Sequence, residues 1–218
     1  MQNQVKTIDG IVWPISDVNS FNGQKNHLHI HKDIMHLVPN KSILVQAGGN
    51  CGMVLNTLVP YFTTVYTFEP DPVNFYCLNQ NVTDSRVIKL QGCVGNDTTP
   101  VRMQILENRP VDIGSFYVNG EGITPVFRID DLRLPDCGLI FLDVEGYEHE
   151  ALQGSLRTIQ QYKPMIFFEV CRPWLARYRT TPEEVSSFLT SIGYTKLVSV
   201  GSGGRTDNEL WGYVENGI

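Results

Sequence analysis

The chain has 218 residues, 42% of them hydrophobic, and this length and composition predict one domain with a sizeable hydrophobic core. Its formal net charge of -6 argues against non-specific binding to nucleic acid or to an anionic membrane. No apolar run reaches the roughly 18 residues of a membrane span, and the N-terminus has no signal pattern. The five cysteines include no Cys-x-x-Cys pair, so we expect reduced thiols and a cytoplasmic location.

The first forty residues lack a regular apolar period, and we expect residues 1–40 to form a cap or lid on a domain of residues 41–218. Four of the five histidines lie in this segment. His27, His29 and His31 would share one face of a strand, which is a possible metal arrangement, but such clusters are more often exposed. We therefore assign no metal ligands, and keep a catalytic histidine from this segment as a second interpretation.

Beyond residue 41, apolar runs of strand length alternate with longer segments of helical period, which is typical of a doubly wound parallel sheet. Ile140, Phe141 and Leu142 form an apolar run without alternation, as expected of a central parallel strand. The predicted strands lie near residues 43–46, 65–69, 87–91, 139–143, 165–170, 195–199 and 210–214. The predicted helices lie near residues 51–60, 72–81, 147–161 and 182–192.

Residues 92–138 depart from this alternation. Residues 101–106 and 126–129 alternate apolar and polar side chains, which indicates half-exposed antiparallel strands, and residues 119–122 between them are typical of a mobile turn. We expect this segment to be a β-rich insertion at the carboxyl ends of the sheet, where it would shape a substrate pocket.

The turn after the first predicted sheet strand indicates a nucleoside site. Gly48 lets the backbone approach a ligand closely, and Gly52 lets the following helix pack against the strand. Glu69 ends the next strand about twenty residues later, the spacing at which such a unit holds a ribose by its hydroxyls. The helix has no third glycine to make room for a pyrophosphate. The turn therefore fits S-adenosylmethionine, a nucleoside cofactor without a pyrophosphate, and predicts methyl transfer.

Three acids are predicted to meet at the same edge of the sheet. Asp143 and Glu145 have the same side-chain parity along an extended chain, and Glu169 ends the adjacent strand. Such clustered carboxylates should raise one another's pKa values unless a cation or the sulfonium offsets them. Transfer to a hydroxyl requires a proton acceptor, for which Asp143 is the first candidate, with Glu145, His149 and Glu169 as the others.

Four short motifs follow one another in a defined order. They are Gln46–Gly52, Phe68-Glu69-Pro70, Asp130-Asp131-Leu132 and Asp143-Val144-Glu145-Gly146. Between about residues 42 and 170 the chain resembles the FkbM family of S-adenosylmethionine-dependent methyltransferases. It departs from the family at Gln46, where the family has an acid, and at Phe141 and Leu142, in place of a lysine near the last motif. We expect Gln46 to accept a hydrogen bond from the cofactor's ammonium with less electrostatic gain than an acid.

The resemblance implies the Rossmann-like class I methyltransferase fold. This is an α/β architecture with a doubly wound, mostly parallel seven-stranded sheet, helices on both faces and an antiparallel last strand. The resemblance also implies S-adenosylmethionine as cofactor and O-methylation of a hydroxyl on a sugar, a larger glycan or a small metabolite. The expected cofactor-binding residues are Gln46, Gly48, Gly49, Asn50, Gly52, Glu69, Pro70, Cys93 and Asp143.

Two alternatives stay open on the sequence. RNA 2'-O-methyltransferases share the fold and use a Lys-Asp-Lys-Glu tetrad, for which Lys41, Asp143 and Glu169 are candidates. Glu169, however, stands where a lysine is needed, and the acidic net charge disfavours nucleic acid. A non-catalytic module would retain the fold and bind a nucleoside or a partner, with Gln46 as the sign of reduced cofactor affinity. The clustered acids favour the enzyme.

Overall fold

A computed structural model describes residues 1–17, 19–106, 112–201 and 206–215. The strands are β1 Val5–Ile8, β2 Ile11–Pro14, β3 Ile43–Ala47, β4 Thr64–Phe68, β5 Val87–Leu90, β6 Cys93–Val94, β7 Val101–Gln104, β8 Tyr117–Glu121, β9 Val126–Phe127, β10 Leu139–Leu142, β11 Met165–Cys171, β12 Tyr194–Gly201 and β13 Thr206–Tyr213. The α-helices are α1 Ser20–Asp33, α2 Met53–Leu58, α3 Pro72–Asn81, α4 Glu148–Gln153, α5 Leu156–Tyr162, α6 Arg172–Leu175 and α7 Pro182–Ser191. Short 3-10 helices cover Gln2–Gln4, Ile34–Leu37, Val59–Tyr61, Ile129–Leu132 and Ala176–Tyr178.

Seven strands form the central sheet, in the order β12-β13-β11-β10-β3-β4-β5. The neighbours from β11 to β5 are parallel, whereas β13 runs antiparallel to both β11 and β12. The predicted α/β fold, with a mostly parallel sheet and an antiparallel last strand, is therefore confirmed. β12 and β13 are each eight residues long and exceed the predicted strands.

Both faces of the sheet are covered because successive side chains of a strand point to opposite sides. On one face, Val45 of β3 belongs to a core that includes residues of α4, α5 and α7. On the other face, its neighbour Leu44 belongs to a core that includes residues of α2 and α3. This double burial explains why the β3 and β10 sequences are apolar at every position except Gln46.

The helix predicted over residues 147–161 is interrupted in the structure. α4 ends at Gln153 and α5 begins at Leu156. At Gly154 the chain passes so close to Gly95 that a Cβ on Gly154 would lie 2.1 Å from the Gly95 carbonyl oxygen. None of the helices in the described ranges is both long and apolar enough to cross a membrane.

The first forty residues are more regular than their sequence indicates. β1 and β2 form an antiparallel hairpin, and α1 then runs for 14 residues. The Asp17 carboxylate ties the two together, since it accepts the Trp13 indole N–H at 2.8 Å and backbone N–H groups of the first turn of α1. The expectation that His27, His29 and His31 share one face of a strand is wrong, because all three lie in α1, where residues two apart point in different directions.

The strands within residues 92–138 pair differently from the prediction. β7 pairs antiparallel with β8, so residues 119–121 lie in a strand and not in the predicted turn. β9 pairs parallel with β6, where antiparallel pairing was predicted. Alternating polarity indicates a half-exposed strand but does not identify its partner, which explains both errors.

Candidate active site

A cavity of about 730 Å³ opens at the carboxyl ends of the central strands, the edge at which open α/β sheets bind ligands. Its wall includes Gly48, Gly49 and Asn50 after β3, and Glu69 after β4. Asp143, Glu145 and Glu169, from the ends of β10 and β11, line the same cavity. The cavity therefore joins the glycine turn to the acids.

The turn after β3 approaches β10 so closely that only glycine fits at its first position. Gly48 has a φ of 89°, and a Cβ added there would lie 1.9 Å from the carbonyl oxygen of Asp143. The N–H groups of Gly48 and Gly49 both donate to the Phe68 carbonyl, at 3.0 and 2.8 Å. Main-chain contacts thus fix the turn between the ends of β4 and β10.

Glu69 combines a structural contact with access to the cavity. Its carboxylate accepts the backbone N–H of Asn50 at 2.7 Å and that of Asp71 at 2.8 Å. The residue is 4% exposed, and burial raises the pKa of its carboxyl to about 8. Hydrogen-bond donors from a ligand, such as ribose hydroxyls, would favour the charged form.

Gln46 lies beneath the turn and is not among the residues that line the cavity. It is 1% exposed; its side-chain oxygen accepts the Thr67 hydroxyl, and its amide donates to the Gly48 carbonyl at 3.0 Å. The amide therefore shapes the turn from below, and the expected contact with the cofactor's ammonium has no support in this geometry. Gly52, another expected cofactor residue, caps α2 with a φ of 84° and is also outside the lining.

A wall formed by residues 112–118 faces the glycine turn, and the sequence analysis assigned it no specific residues. The side-chain amides of Asn50 and Asn74 both donate to the Ile113 carbonyl, at 3.2 and 3.0 Å. At the other end, the Tyr178 hydroxyl accepts the Val118 N–H at 2.9 Å. These contacts connect positions 39 to 63 residues apart in the chain, so no local pattern reveals them.

Asp143, Glu145 and Glu169 come together as predicted, with one oxygen of each within 4.8 Å of the others, but not through the side-chain parity on which the prediction relied. Glu145 reaches the group through a left-handed backbone (φ 55°), followed by Gly146 (φ 98°), so the segment is not extended. Behind them, Glu148 is 1% exposed and accepts the N–H groups of Val144 and Gly146.

These carboxyls hold their protons more strongly than free ones. Burial raises the pKa of Asp143 to about 6 and that of Glu148 to about 7. Burial, followed by the charges of Asp143 and Glu148, raises the pKa of Glu169 to about 9. The pKa of Glu145 is raised well above its ordinary value, mainly by burial and next by Glu169.

The remaining predicted site residues divide into two groups. Pro70 and Cys93 line the cavity, whereas His149 does not and lies against Phe188, with its ring nitrogen 3.2 Å from the Gln153 amide. Lys41 is also outside the lining, with its ammonium over the Phe62 ring, so the tetrad of the RNA alternative is not assembled.

One face of α1 completes the cavity, in the segment where the sequence analysis expected a cap or lid but no helix. Residues at helical spacing along α1 line the cavity, and they are Ser20, Gly23, Gln24, His27, Ile30 and His31; His29 lines it from the edge of this face. Burial against the rings of Phe141 and Phe167 lowers the pKa of His31 to about 4, so this imidazole is neutral at pH 7. The signal available in the sequence was the three-to-four-residue spacing of these positions.

The profile of a family described as "Methyltransferase FkbM domain" matches residues 50–196. A solved FkbM methyltransferase from Methylobacillus flagellatus KT is similar, with a TM-score of 0.54 and 19% identity over 91% of this chain. The chain spans only 56% of that protein's length. A comparison with curated protein sequences found no match.

Other methyltransferases share the architecture. The N-methyltransferase NodS from Bradyrhizobium japonicum WM9 matches with a TM-score of 0.54 and 14% identity, over 91% of this chain and 99% of NodS. Its complex with S-adenosyl-L-homocysteine matches with a TM-score of 0.51 and 12% identity, over 91% of this chain and 100% of NodS. At these identities, the similarity establishes a common fold.

Proposed function

The chain belongs to the FkbM methyltransferase domain family, and from this we propose that it transfers the methyl group of S-adenosylmethionine to a hydroxyl of a sugar or another small metabolite. The observation that carries the proposal is the single cavity that joins the glycine turn and Glu69 to three carboxylates. A nucleoside at the turn and an acceptor at the acids would then lie in one enclosed space.

The residues at the turn fit the nucleoside part of this cofactor. Gly48 lets the turn approach β10, because a side chain there would meet the Asp143 carbonyl oxygen, and Gly48 itself lines the cavity. Glu69, at the end of β4, presents a buried carboxyl that two ribose hydroxyls can satisfy. S-Adenosylmethionine bound here would supply a methyl group on a cationic sulfonium, ready for in-line displacement.

Asp143 is the residue that we assign to the acceptor's proton. Its side chain is open to the cavity, and its pKa near 6 leaves it mostly ionised at pH 7, when it can accept a proton from a hydroxyl or orient that hydroxyl. Glu145 and Glu169 lie beside Asp143 in the wall of the same cavity, where their side-chain oxygens can contact the acceptor. Alignment of acceptor and methyl group in such a cavity supplies about 7–11 kcal/mol in favourable cases.

We further propose that α1 and residues 112–118 form the acceptor side of the site. Gln24, His27 and Ser20 present an amide, an imidazole and a hydroxyl to the cavity from one helix face. Polar groups of this kind exchange hydrogen bonds with hydroxyls, which agrees with a polyhydroxylated acceptor. This N-terminal segment would then act as the cap that the sequence analysis expected.

The first test is calorimetric titration with S-adenosyl-L-homocysteine. We expect micromolar binding by the wild type and a loss of about tenfold or more in Glu69→Gln, because the amide cannot replace a charged acceptor for two hydroxyls. Glu121→Gln, an exposed acid of β8 outside the cavity, is the matched control and should bind normally. A methyl-transfer assay on sugars, with mass analysis of the product, then tests the acceptor class.

The results separate this proposal from its alternatives. Binding without transfer to any hydroxylated small molecule would contradict the acceptor class, and a salt-sensitive RNA shift would then favour the RNA alternative. No binding by the wild type would reject the enzyme and favour a module that binds a partner.

A further inference from the structure

The three carboxylates at the ends of β10 and β11 form an oxygen cage open to the cavity. One oxygen of each of Asp143, Glu145 and Glu169 lies within 4.8 Å of the other two. In the described ranges, this is the one group of histidine, cysteine or acidic side chains with such a spacing. The histidines of α1, which the sequence analysis considered but did not assign as metal ligands, do not form such a group in these ranges.

No cationic side chain compensates the cage in the part of the chain that the structure describes. None of the three acids takes part in an ion pair there. The charges that act on Glu145 all come from other acids, which are Glu169, Asp143, Glu148 and Asp112. A bound sulfonium would bring a single positive charge, fewer than the three negative charges of the fully ionised cage.

A second observation is independent of the spacing within the cage. Glu148 is 1% exposed, and one of its oxygens is buried without any hydrogen-bond partner. One oxygen of Glu145 is buried and unpaired in the same way. Buried carboxylate oxygens are normally satisfied, so one unpaired oxygen within the cage, on Glu145, and one on the neighbouring Glu148 point to a cationic ligand.

The chemistry of the cage selects the type of cation. All three side chains offer carboxylate oxygens, without thiolate or imidazole, and such sets suit hard divalent ions such as Mg²⁺ and Mn²⁺. Both ions favour six ligands, so positions left by three carboxylates would face the cavity and accept water or a substrate oxygen.

We propose that Asp143, Glu145 and Glu169 bind one divalent cation, Mg²⁺ or Mn²⁺, whose open positions face the acceptor side of the cavity. A cation there would hold an acceptor hydroxyl oxygen and lower the pKa of that hydroxyl, and Asp143, which ligates through one oxygen, would take the proton on its other oxygen. This catalytic consequence rests on the proposed function, whereas the binding of the metal itself does not.

The test is a titration of the purified, chelator-treated protein with Mn²⁺ alone, followed by electron paramagnetic resonance and calorimetry. We expect one Mn²⁺ per chain, displaced by excess Mg²⁺. Glu145→Gln and Glu169→Gln should each weaken binding about tenfold or more, since each removes one charged ligand. Both variants relieve repulsion and should fold, which circular dichroism checks.

Glu150→Gln is the matched control, because Glu150 lies on α4 near these acids but does not line the cavity. Its Mn²⁺ affinity should equal that of the wild type. Absence of bound Mn²⁺ at millimolar concentration, or equal affinity in all variants, would overturn the proposal. Since neither cofactor nor acceptor is present, failure here is distinct from failure to bind S-adenosyl-L-homocysteine.

Discussion

The Thr67 hydroxyl donates a hydrogen bond to the Gln46 side-chain oxygen, 2.5 Å away, between directly opposed positions of β3 and β4. The Gln46 amide uses its other end to donate to the Gly48 carbonyl at 3.0 Å. An amide can serve both contacts at once because it carries a donor and an acceptor, whereas an ionised acid only accepts. The replacement of the family's acid by glutamine is therefore matched by its surroundings.

Gln46→Glu should destabilise the protein at neutral pH. The carboxylate would leave the half-buried Gly48 carbonyl without its donor, which costs about 1 kcal/mol, and would itself be desolvated because position 46 is 1% exposed. The loss should be smaller at pH 4, where the acid can be protonated and donate. Urea unfolding at pH 7 and pH 4 measures the loss of stability, and Gln80→Glu, at an exposed position, is the control. Equal stability of Gln46→Glu and the wild type at pH 7 would contradict this role.

Gly48→Ala should abolish cofactor binding and lower stability by about 3 kcal/mol, through a left-handed backbone and overpacking together. The new Cβ would lie 1.9 Å from the Asp143 carbonyl oxygen and force apart the ends of β3 and β10. Gly120→Ala isolates the first cause, since Gly120 has a φ of 71° with no atom within 4 Å. Calorimetry should show normal cofactor binding by Gly120→Ala, and chemical unfolding should show a clearly smaller loss of stability than in Gly48→Ala.

Asn74→Ala should loosen the wall of residues 112–118. It removes one of the two amides that hold the Ile113 carbonyl, at a cost of about 1 kcal/mol. We expect faster hydrogen exchange in this wall and faster dissociation of S-adenosyl-L-homocysteine. Asn79→Ala, on the exposed side of the same helix, should change neither. An unchanged exchange rate in Asn74→Ala would show that Asn50 alone suffices.

Glu148→Gln should stabilise the metal-free protein at alkaline pH. The native pKa of Glu148, about 7, lies above its ordinary value, so the folded state binds the proton more tightly and loses stability as pH rises through 7. The free energy of unfolding of the variant should exceed that of the wild type by about 2 kcal/mol at pH 8, and this difference should be smaller at pH 4. Thermal unfolding in chelator at both pH values measures this. If the variant were less stable than the wild type at pH 8, the ionised Glu148 carboxylate would not be destabilising.

Asp143→Asn and His149→Ala should differ sharply in turnover. Asp143 faces the cavity, and loss of a proton acceptor typically reduces the rate about 10²-fold or more. His149 packs on Phe188 away from the cavity, so its removal should leave turnover almost unchanged. Steady-state assays with saturating cofactor compare the two. A strong effect of His149→Ala would require a different arrangement of the site.

The parts of the fold that the sequence predicted depend on local patterns. The run before Gly48 is apolar at nearly every position because β3 is buried on both faces, and the glycine spacing marks the turn that follows. The approach of Asp143 to Glu169 also follows from a general rule, since parallel strands end at one edge of the sheet.

The parts that the sequence did not reveal depend on distant contacts. Ile113 lies in the cavity wall only because two asparagines far along the chain hold its carbonyl. α1 has few apolar residues, and its position depends on Asp17 and on the hairpin that precedes it. Neither of these long-range contacts leaves a period in the sequence, although the cavity-lining positions of α1 do recur at helical spacing.

The two halves of the cavity wall differ in how they tolerate evolutionary change. The glycine turn is held by main-chain bonds to Phe68, which side-chain substitutions elsewhere leave intact. The α1 half presents side chains, and in the described ranges Gln24 and His27 make no side-chain hydrogen bond to the protein. Single substitutions on α1 could therefore shift acceptor preference without loss of the fold. Close relatives that share every motif of this chain should accordingly diverge in the molecules that they methylate.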